Sequence, residues 1–315
     1  MLIRRAGLLL VLLGGLCTVT QAQPDDPLPA GRIAFVEGYI PSVGHKLITD
    51  IVVMNLDGTD LQNLTNTEYG EWSPAWSPDG QQIAYVAVPD EDNADIYVMD
   101  ADGSNQRQLT ADPAHDSSPS WSPDGQQIVF SSRRTGNGDL YIMQADGANP
   151  VQLTATEQQE IAPAWSLDGM YIAYILNTDN WPEEHDQIVI MHADGSQPFT
   201  VVQDPPGSFD NTLAWSPDGR TLAFSMLTED EHYRVYLYDV QTGTQRLLPV
   251  PEGGISPDHM PTWSPDGRYI LSRCDLLAYG RFYIVAVDGS GSWWEVPGAE
   301  DHVYTPAWQP IITQE

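Results

Sequence analysis

Apolar residues in this chain fall in short runs of three to five, each bounded by a turn signal, from about residue 32 onward. Ile83-Ala84-Tyr85-Val86, Ile128-Val129-Phe130, Tyr171 to Ile175, Leu222-Ala223-Phe224 and Tyr269-Ile270-Leu271 form one set. A second set follows at a variable distance: Ile96 to Met99, Leu140 to Met143, Ile188 to Met191, Val235 to Tyr238 and Phe282 to Val285. The runs are too short for helices and rich in β-branched and aromatic residues, so they predict strands. A more polar strand typified by Arg107-Gln108-Leu109-Thr110 closes each unit, and no window beyond the N-terminus shows a clear helical period.

The units are copies of one another. Trp76-Ser77-Pro78-Asp79-Gly80 recurs as Trp121 to Gly125, Trp165 to Gly169 (with Leu167 for Pro), Trp215 to Gly219 and Trp263 to Gly267, and Trp308-Gln309-Pro310 is a truncated copy. Successive Trp residues lie 44 to 50 positions apart, a period that suits four-stranded propeller blades. In each copy a strand ends on the Trp and Ser-Pro-Asp-Gly makes a tight turn. Pro sets φ at the first turn position and Gly accepts the exit geometry.

The chain opens with Arg32 to Val36, a second-type strand lacking its first, with Ile51 to Met54 and Leu61 to Thr65 as third and fourth. It closes with Tyr304 to Trp308, a first-type strand lacking the other three. One end completes the blade begun by the other, which removes open sheet edges. The expected fold class is all-β: a six-bladed β-propeller of four-stranded antiparallel blades, closed by the C-terminal strand joining the N-terminal three.

Four segments follow. Residues 1–22 read as a signal peptide, with Arg4-Arg5, a short apolar run and small residues before a cleavage after Ala22; the run is too short for a comfortable membrane span. Residues 23–31 are a linker, 32–310 the propeller and 311–315 a tail. Cys17 as a lipidation site and Arg4-Arg5 as a twin-arginine signal are rival readings; the bulky Leu16 disfavours the first and the flanking residues the second. Cleavage leaves Cys274 alone, a small half-buried filler, with no disulfide.

Charge narrows the partners. The chain carries 44 Asp and Glu against 13 Lys and Arg, a net charge of −31, and Lys46 is its only lysine. Such a surface repels nucleic acid and anionic lipid and favours cations, basic partners or a salty medium.

The repeated Pro-x-Trp-Ser-Pro-Asp-Gly, the apolar-Ala-aromatic strand, the Tyr-x-Met-Asp-Ala-Asp-Gly turn and the Leu-Thr ending resemble the TolB-type (PD40, WD40-like) propeller repeat. The resemblance runs from Gly31 to Pro310 and implies a bacterial cell-envelope protein, periplasmic or secreted. The N-terminal domain that precedes the propeller in TolB itself has no counterpart in Gln23 to Arg32, which separates this chain from TolB's own envelope role.

Candidate chemistry is sparse. One Trp per blade at a fixed strand position reads as packing between blades. Trp181, in the loop Asn177 to Gln187, is a candidate ligand contact, and one of Trp293 and Trp294 is expected to be exposed. The Asp-Gly turns at Asp57, Asp102, Asp146, Asp194 and Asp288 faintly resemble calcium loops but lack their ligand run, so they read as hairpin turns. Five residues before each repeat Trp lie Glu71, Asp116, Glu160, Asp210 and Asp258, with Val303 the exception. His115, His259 and His302 stand beside that register. On the innermost strand these carboxylates are expected to encircle one mouth of the channel, as a site for a cation such as calcium or a basic ligand. The structural alternative is that each bonds backbone N–H groups between blades.

Topology puts the long, variable connections on one face: Glu37 to Asp50, Ala87 to Asp95, Ser131 to Asp139, Asn177 to Gln187, Met226 to Arg234 and Arg273 to Arg281. Arg133, Arg134, Arg273 and Arg281 are rare cations there, with pairing to neighbouring acids expected. Nucleophile-elbow, zinc-protease and phosphate-loop motifs are absent. The expected function is a monomeric, non-catalytic binding module for an envelope protein, peptide or glycan, needing no cofactor beyond a divalent cation. A metal-assisted lyase or hydrolase acting on an extracellular polymer is the alternative.

Overall fold

A computed structural model describes residues 31–39, 48–90, 93–177, 186–202, 209–230, 232–249, 259–276, 279–299 and 303–310. The expected signal peptide, with Cys17, lies outside them. The described residues form six four-stranded antiparallel sheets and no helix.

Blade 1 takes β1 (Arg32–Tyr39), β2 (Ile48–Asn55) and β3 (Gln62–Asn63) from the start of the chain. Blade 2 is β4 (Gly70–Trp76), β5 (Gln82–Asp90), β6 (Asn93–Asp100) and β7 (Arg107–Gln108). Blade 3 is β8 (Asp116–Trp121), β9 (Gln127–Ser132), β10 (Asp139–Gln144) and β11 (Val151–Gln152). Blade 4 is β12 (Gln159–Trp165), β13 (Tyr171–Asn177), β14 (Gln187–His192) and β15 (Phe199–Val202). Blade 5 is β16 (Phe209–Trp215), β17 (Thr221–Leu227), β18 (Tyr233–Asp239) and β19 (Thr244–Leu247). Blade 6 is β20 (His259–Trp263), β21 (Tyr269–Leu276), β22 (Tyr279–Ala286) and β23 (Trp293–Glu295). The last strand, β24 (Val303–Trp308), pairs with β1 through Ile33–Trp308 and Ala34–Ala307 and supplies blade 1 with its inner strand.

The core lies between blades rather than within them. Each apolar cluster joins two neighbours: Ile33, Phe35 and Met54 of blade 1 with Leu271, Phe282 and Ile284 of blade 6, for example. The repeat Trp is the standard link. Its indole N–H donates to an inner-strand carbonyl of the preceding blade, from Trp76 to Ala307 (3.2 Å), Trp121 to Ala75 (3.1 Å), Trp215 to Ala164 (3.0 Å) and Trp263 to Ala214 (3.2 Å). A buried indole both fills the junction and satisfies its one donor.

The Ser-Pro-Asp-Gly turns lock themselves. In blade 3 the Ser122 hydroxyl donates to Asp124 (2.6 Å) and accepts from the Gln127 N–H (2.9 Å), and four other blades repeat this pattern. The Leu-Thr ending has its own purpose. Thr65, Thr110 and Thr154 accept the N–H groups of Ile51, Ile96 and Leu140 through their hydroxyls at 2.9–3.0 Å. A side-chain oxygen thus replaces the outer carbonyl, and the outer strands of blades 1 to 3 shrink to two residues each.

Candidate functional site

The inner strands do not project their acids into the channel. A strand at the centre of a propeller turns its backbone edge to the bore, and its side chains point into the two neighbouring blades. The bore, about 200 Å³, is lined by Pro74, Pro119, Pro163, Pro261 and Pro306, with Leu213 in blade 5. Proline suits this edge because it leaves no unpaired N–H there. Glu71, Asp116, Glu160 and Asp210 are not on the bore's wall. Of the expected ring, Glu71, Asp116 and Glu160 are fully buried, and Asp258 lies outside the described residues.

Their register explains where they go. Each inner strand carries an irregularity in its pairing, between Trp72 and Ala75 or Ser117 and Ser120, for instance, with Ser73, Ser118, Ala162, Met260 and Thr305 at positive φ. Glu71, Asp116 and Glu160 then pair across to Ala87, Ser132 and Leu176, and all three are fully buried. In blade 5 the irregularity is one residue longer. Phe209, opposite Met226, takes the equivalent place, and Asp210 slips out of register.

Glu71, Asp116 and Glu160 sit at the junctions with the preceding blades, each near an aspartate within the first three residues of that blade's third strand. The pairs are Glu71 with Asp50, Asp116 with Asp95 and Glu160 with Asp139, and in each the charge of one member raises the pKa of the other: Asp50 that of Glu71, Asp116 that of Asp95 and Asp139 that of Glu160. The sequence reading missed the partner set, although Asp50, Asp95 and Asp139 stand directly before Ile51, Ile96 and Leu140 at one repeat position.

The junctions are satisfied differently. Both oxygens of Asp116 accept from one Nη of Arg134, at 2.9 and 3.1 Å, while Arg134 lies over the Tyr141 ring at 4.6 Å. Asp95 accepts from Thr110 (3.1 Å) and Gln108 (2.9 Å), and burial, then Asp116, pushes its pKa up. Glu160 accepts from Thr154 (3.0 Å) and Thr156 (2.5 Å), and burial keeps its pKa above the usual range. Glu71 is pushed up to about 7, chiefly by burial, with Asp50 adding repulsion and the Thr65 and Thr67 hydroxyls partly countering it. Asp210 faces blade 6, where it accepts from the Met260 N–H (3.0 Å) and lies 3.1 Å from His259 Nδ1.

On the loop face, His115 and Arg133 are exposed side by side, and the Arg133 N–H donates to the His115 carbonyl (3.0 Å). Arg281 pairs with Glu295, and Arg273 lies over the Tyr304 ring at 4.7 Å. Trp294 is buried against Tyr269 and Trp293 is partly exposed. Cys274 is fully buried rather than half-buried. Asp258, His302 and Trp181 lie outside the described residues. On the opposite face the Asp-Gly turns are closed by their own aspartates, as in Asp102 accepting from the Ser104 N–H (2.9 Å). The described residues contain no group of three or more His, Cys, Asp and Glu arranged to hold a metal, and no helix among them is long and apolar enough to cross a membrane.

A family model for the TolB β-propeller domain matches residues 45–257. Among solved structures, TolB from Acinetobacter baumannii superposes with a TM-score of 0.71 at 24% identity, over 89% of this chain and 67% of that one. A chain of the nidogen/laminin complex superposes with a TM-score of 0.68 at 12% identity, over 90% of this chain and 99% of that one. At these identities both likenesses concern fold alone. The uncharacterised peptidase YuxL of Bacillus subtilis is 42% identical over 62 residues, which is 20% of this chain and 9% of that protein's length.

Proposed function

The chain belongs to the TolB β-propeller family, and from that premise we propose that it is an exported, non-catalytic module binding a protein, peptide or glycan of the cell envelope through its loop-bearing face. The observation that carries this reading is the inequality of the two faces. One face repeats the same Ser-locked turn in five blades. On the other, the second-to-third-strand connections range from two residues, 91–92, to nine, 178–186. Variable loops on a rigid frame are where binding specificity is placed. Exposed Arg133, with the His115 ring beside it, places a positive charge on that face of an otherwise acidic molecule. One of the chains with the same fold belongs to a nidogen/laminin complex, a setting of protein association.

The test is capture from envelope extract, followed by titration of the purified partner against the wild type, a loop-face variant R133A/H115A and a turn-face variant N105A. The reading predicts an affinity loss of about tenfold or more in the loop-face variant, equal to about 1.4 kcal/mol, and none in the turn-face variant. Absence of any specific partner, or a loss confined to N105A, would sink it.

A further inference from the structure

The three acidic junctions are built alike but completed differently, and one of them is left incomplete by the chain itself. At the blade 2–3 junction Arg134 neutralises Asp116. At the blade 3–4 junction two threonine hydroxyls bond Glu160. At the blade 1–2 junction Glu71 is fully buried, and its carboxylate oxygens, which face Thr65 and Thr67 at the places of Thr154 and Thr156, make no hydrogen bond of ordinary geometry. The residue in the place of Arg134 there is Pro89, two beyond the strand position that pairs with the acid, and it carries no charge. A buried polar group without a partner is destabilising, more so when charged, so such a group calls for an explanation.

The surroundings specify what is missing. Glu71 is held by its backbone: its N–H donates to the Thr49 hydroxyl (2.8 Å), which in turn donates to its carbonyl (2.7 Å). Its carboxylate reaches toward Asp50, Thr65 and Thr67 of the preceding blade. Asp50 is anchored in turn by Asn63 (2.8 Å) and the Thr67 N–H (2.9 Å). Glu37, cross-strand from Asp50, and the phenols of Tyr69 and Tyr85 also feel this acidic pocket, each with its pKa raised by burial and then by a neighbouring acid, Asp50 for Glu37 and Glu71 for the tyrosines. The donors gathered here are oxygens only, two carboxylates with two hydroxyls, and Asp50 is half-buried, which leaves an approach from solvent. Hard, oxygen-only sets with flexible geometry suit calcium.

We propose that Glu71 and Asp50, with the hydroxyls of Thr65 and Thr67, bind one calcium ion at the junction of blades 1 and 2. The ion does there what the Arg134 guanidinium does one junction further on. It neutralises a buried inter-blade acid, and it does so on the blade that joins the two ends of the chain. The site is separate from the loop-face binding reading and stands or falls without it.

The experiment is calorimetric titration of chelator-treated protein with calcium chloride in about 0.15 M salt, where loosely held surface ions are screened beyond about 8 Å, together with thermal melting. Wild type is expected to bind one ion. At about a hundredfold excess over the dissociation constant, mass action raises the melting temperature of a chain this size by about 4–5 °C. E71Q and D50N are expected to lose both the heat and the shift, while D102N, at an exposed turn, retains them. Cooperative melting of E71Q without calcium verifies that it folds; if it does not, D50N at the half-buried position carries the test. Absence of a stoichiometric heat in wild type, or full retention of binding in a folded E71Q or D50N, would overturn the proposal.

Discussion

At the scale of single residues, the buried acids decide how the fold answers to pH. Burial raises the pKa of Glu160 above its ordinary value, with Asp139 adding repulsion and Thr156 and Thr154 partly offsetting it. A raised carboxyl binds its proton more tightly folded than unfolded. Its contribution is complete below the ordinary glutamate range and is lost as pH climbs through the higher folded value. Aspartates of the exposed turns behave in the opposite sense. Asp102 and Asp194 are held below the usual range by hydrogen bonds from Ser104 and Ser196, so their contribution disappears as pH falls through their lowered folded values. Stability is therefore expected to peak in mildly acidic solution. Denaturant unfolding across the pH range is expected to show a decline above that peak which E160Q makes shallower; an unaltered slope in E160Q would remove Glu160 from the account.

At the scale of the element, the tight turns carry unequal loads although their sequences look alike. Gly125 has φ +68°, and a Cβ there would meet only the Pro78 ring, at 3.8 Å. Gly147 has φ +90°, and a Cβ there would lie 2.7 Å from the Leu109 carbonyl oxygen of the preceding blade. Both positions disfavour a side chain by about 1 kcal/mol on conformational grounds, and only the second adds a backbone collision. G147A is thus expected to lower the melting temperature clearly more than G125A, and equal effects would show that the outer turn yields. The strands were legible in the sequence because apolar runs recur in all six blades and the same turn chemistry accompanies them in five. The outer strands proved shorter than the Leu-Thr pattern implies, because the threonine hydroxyl itself takes the neighbouring N–H. Nothing in strand propensity encodes that substitution.

At the scale of the whole molecule, closure follows from the chain's two ends, since Arg32 to Val36 lacks a first strand that Tyr304 to Trp308 supplies. The destination of the acids was less legible. Counting back from each Trp finds Glu71, Asp116 and Glu160 correctly as a set, but it includes Asp210, which an extra residue in the blade 5 irregularity displaces in favour of Phe209. Counting also cannot show that an inner strand offers its backbone, not its side chains, to the bore. The proposed binding role rests on a ring with one uniform face and one varied face. The most direct measurement is hydrogen exchange on the protein with and without its captured envelope partner. The account predicts added protection in the connections of the loop face, such as residues 133–138 and 228–232. Protection confined to the opposite turns, at residues 101–106 and 145–149, would contradict it.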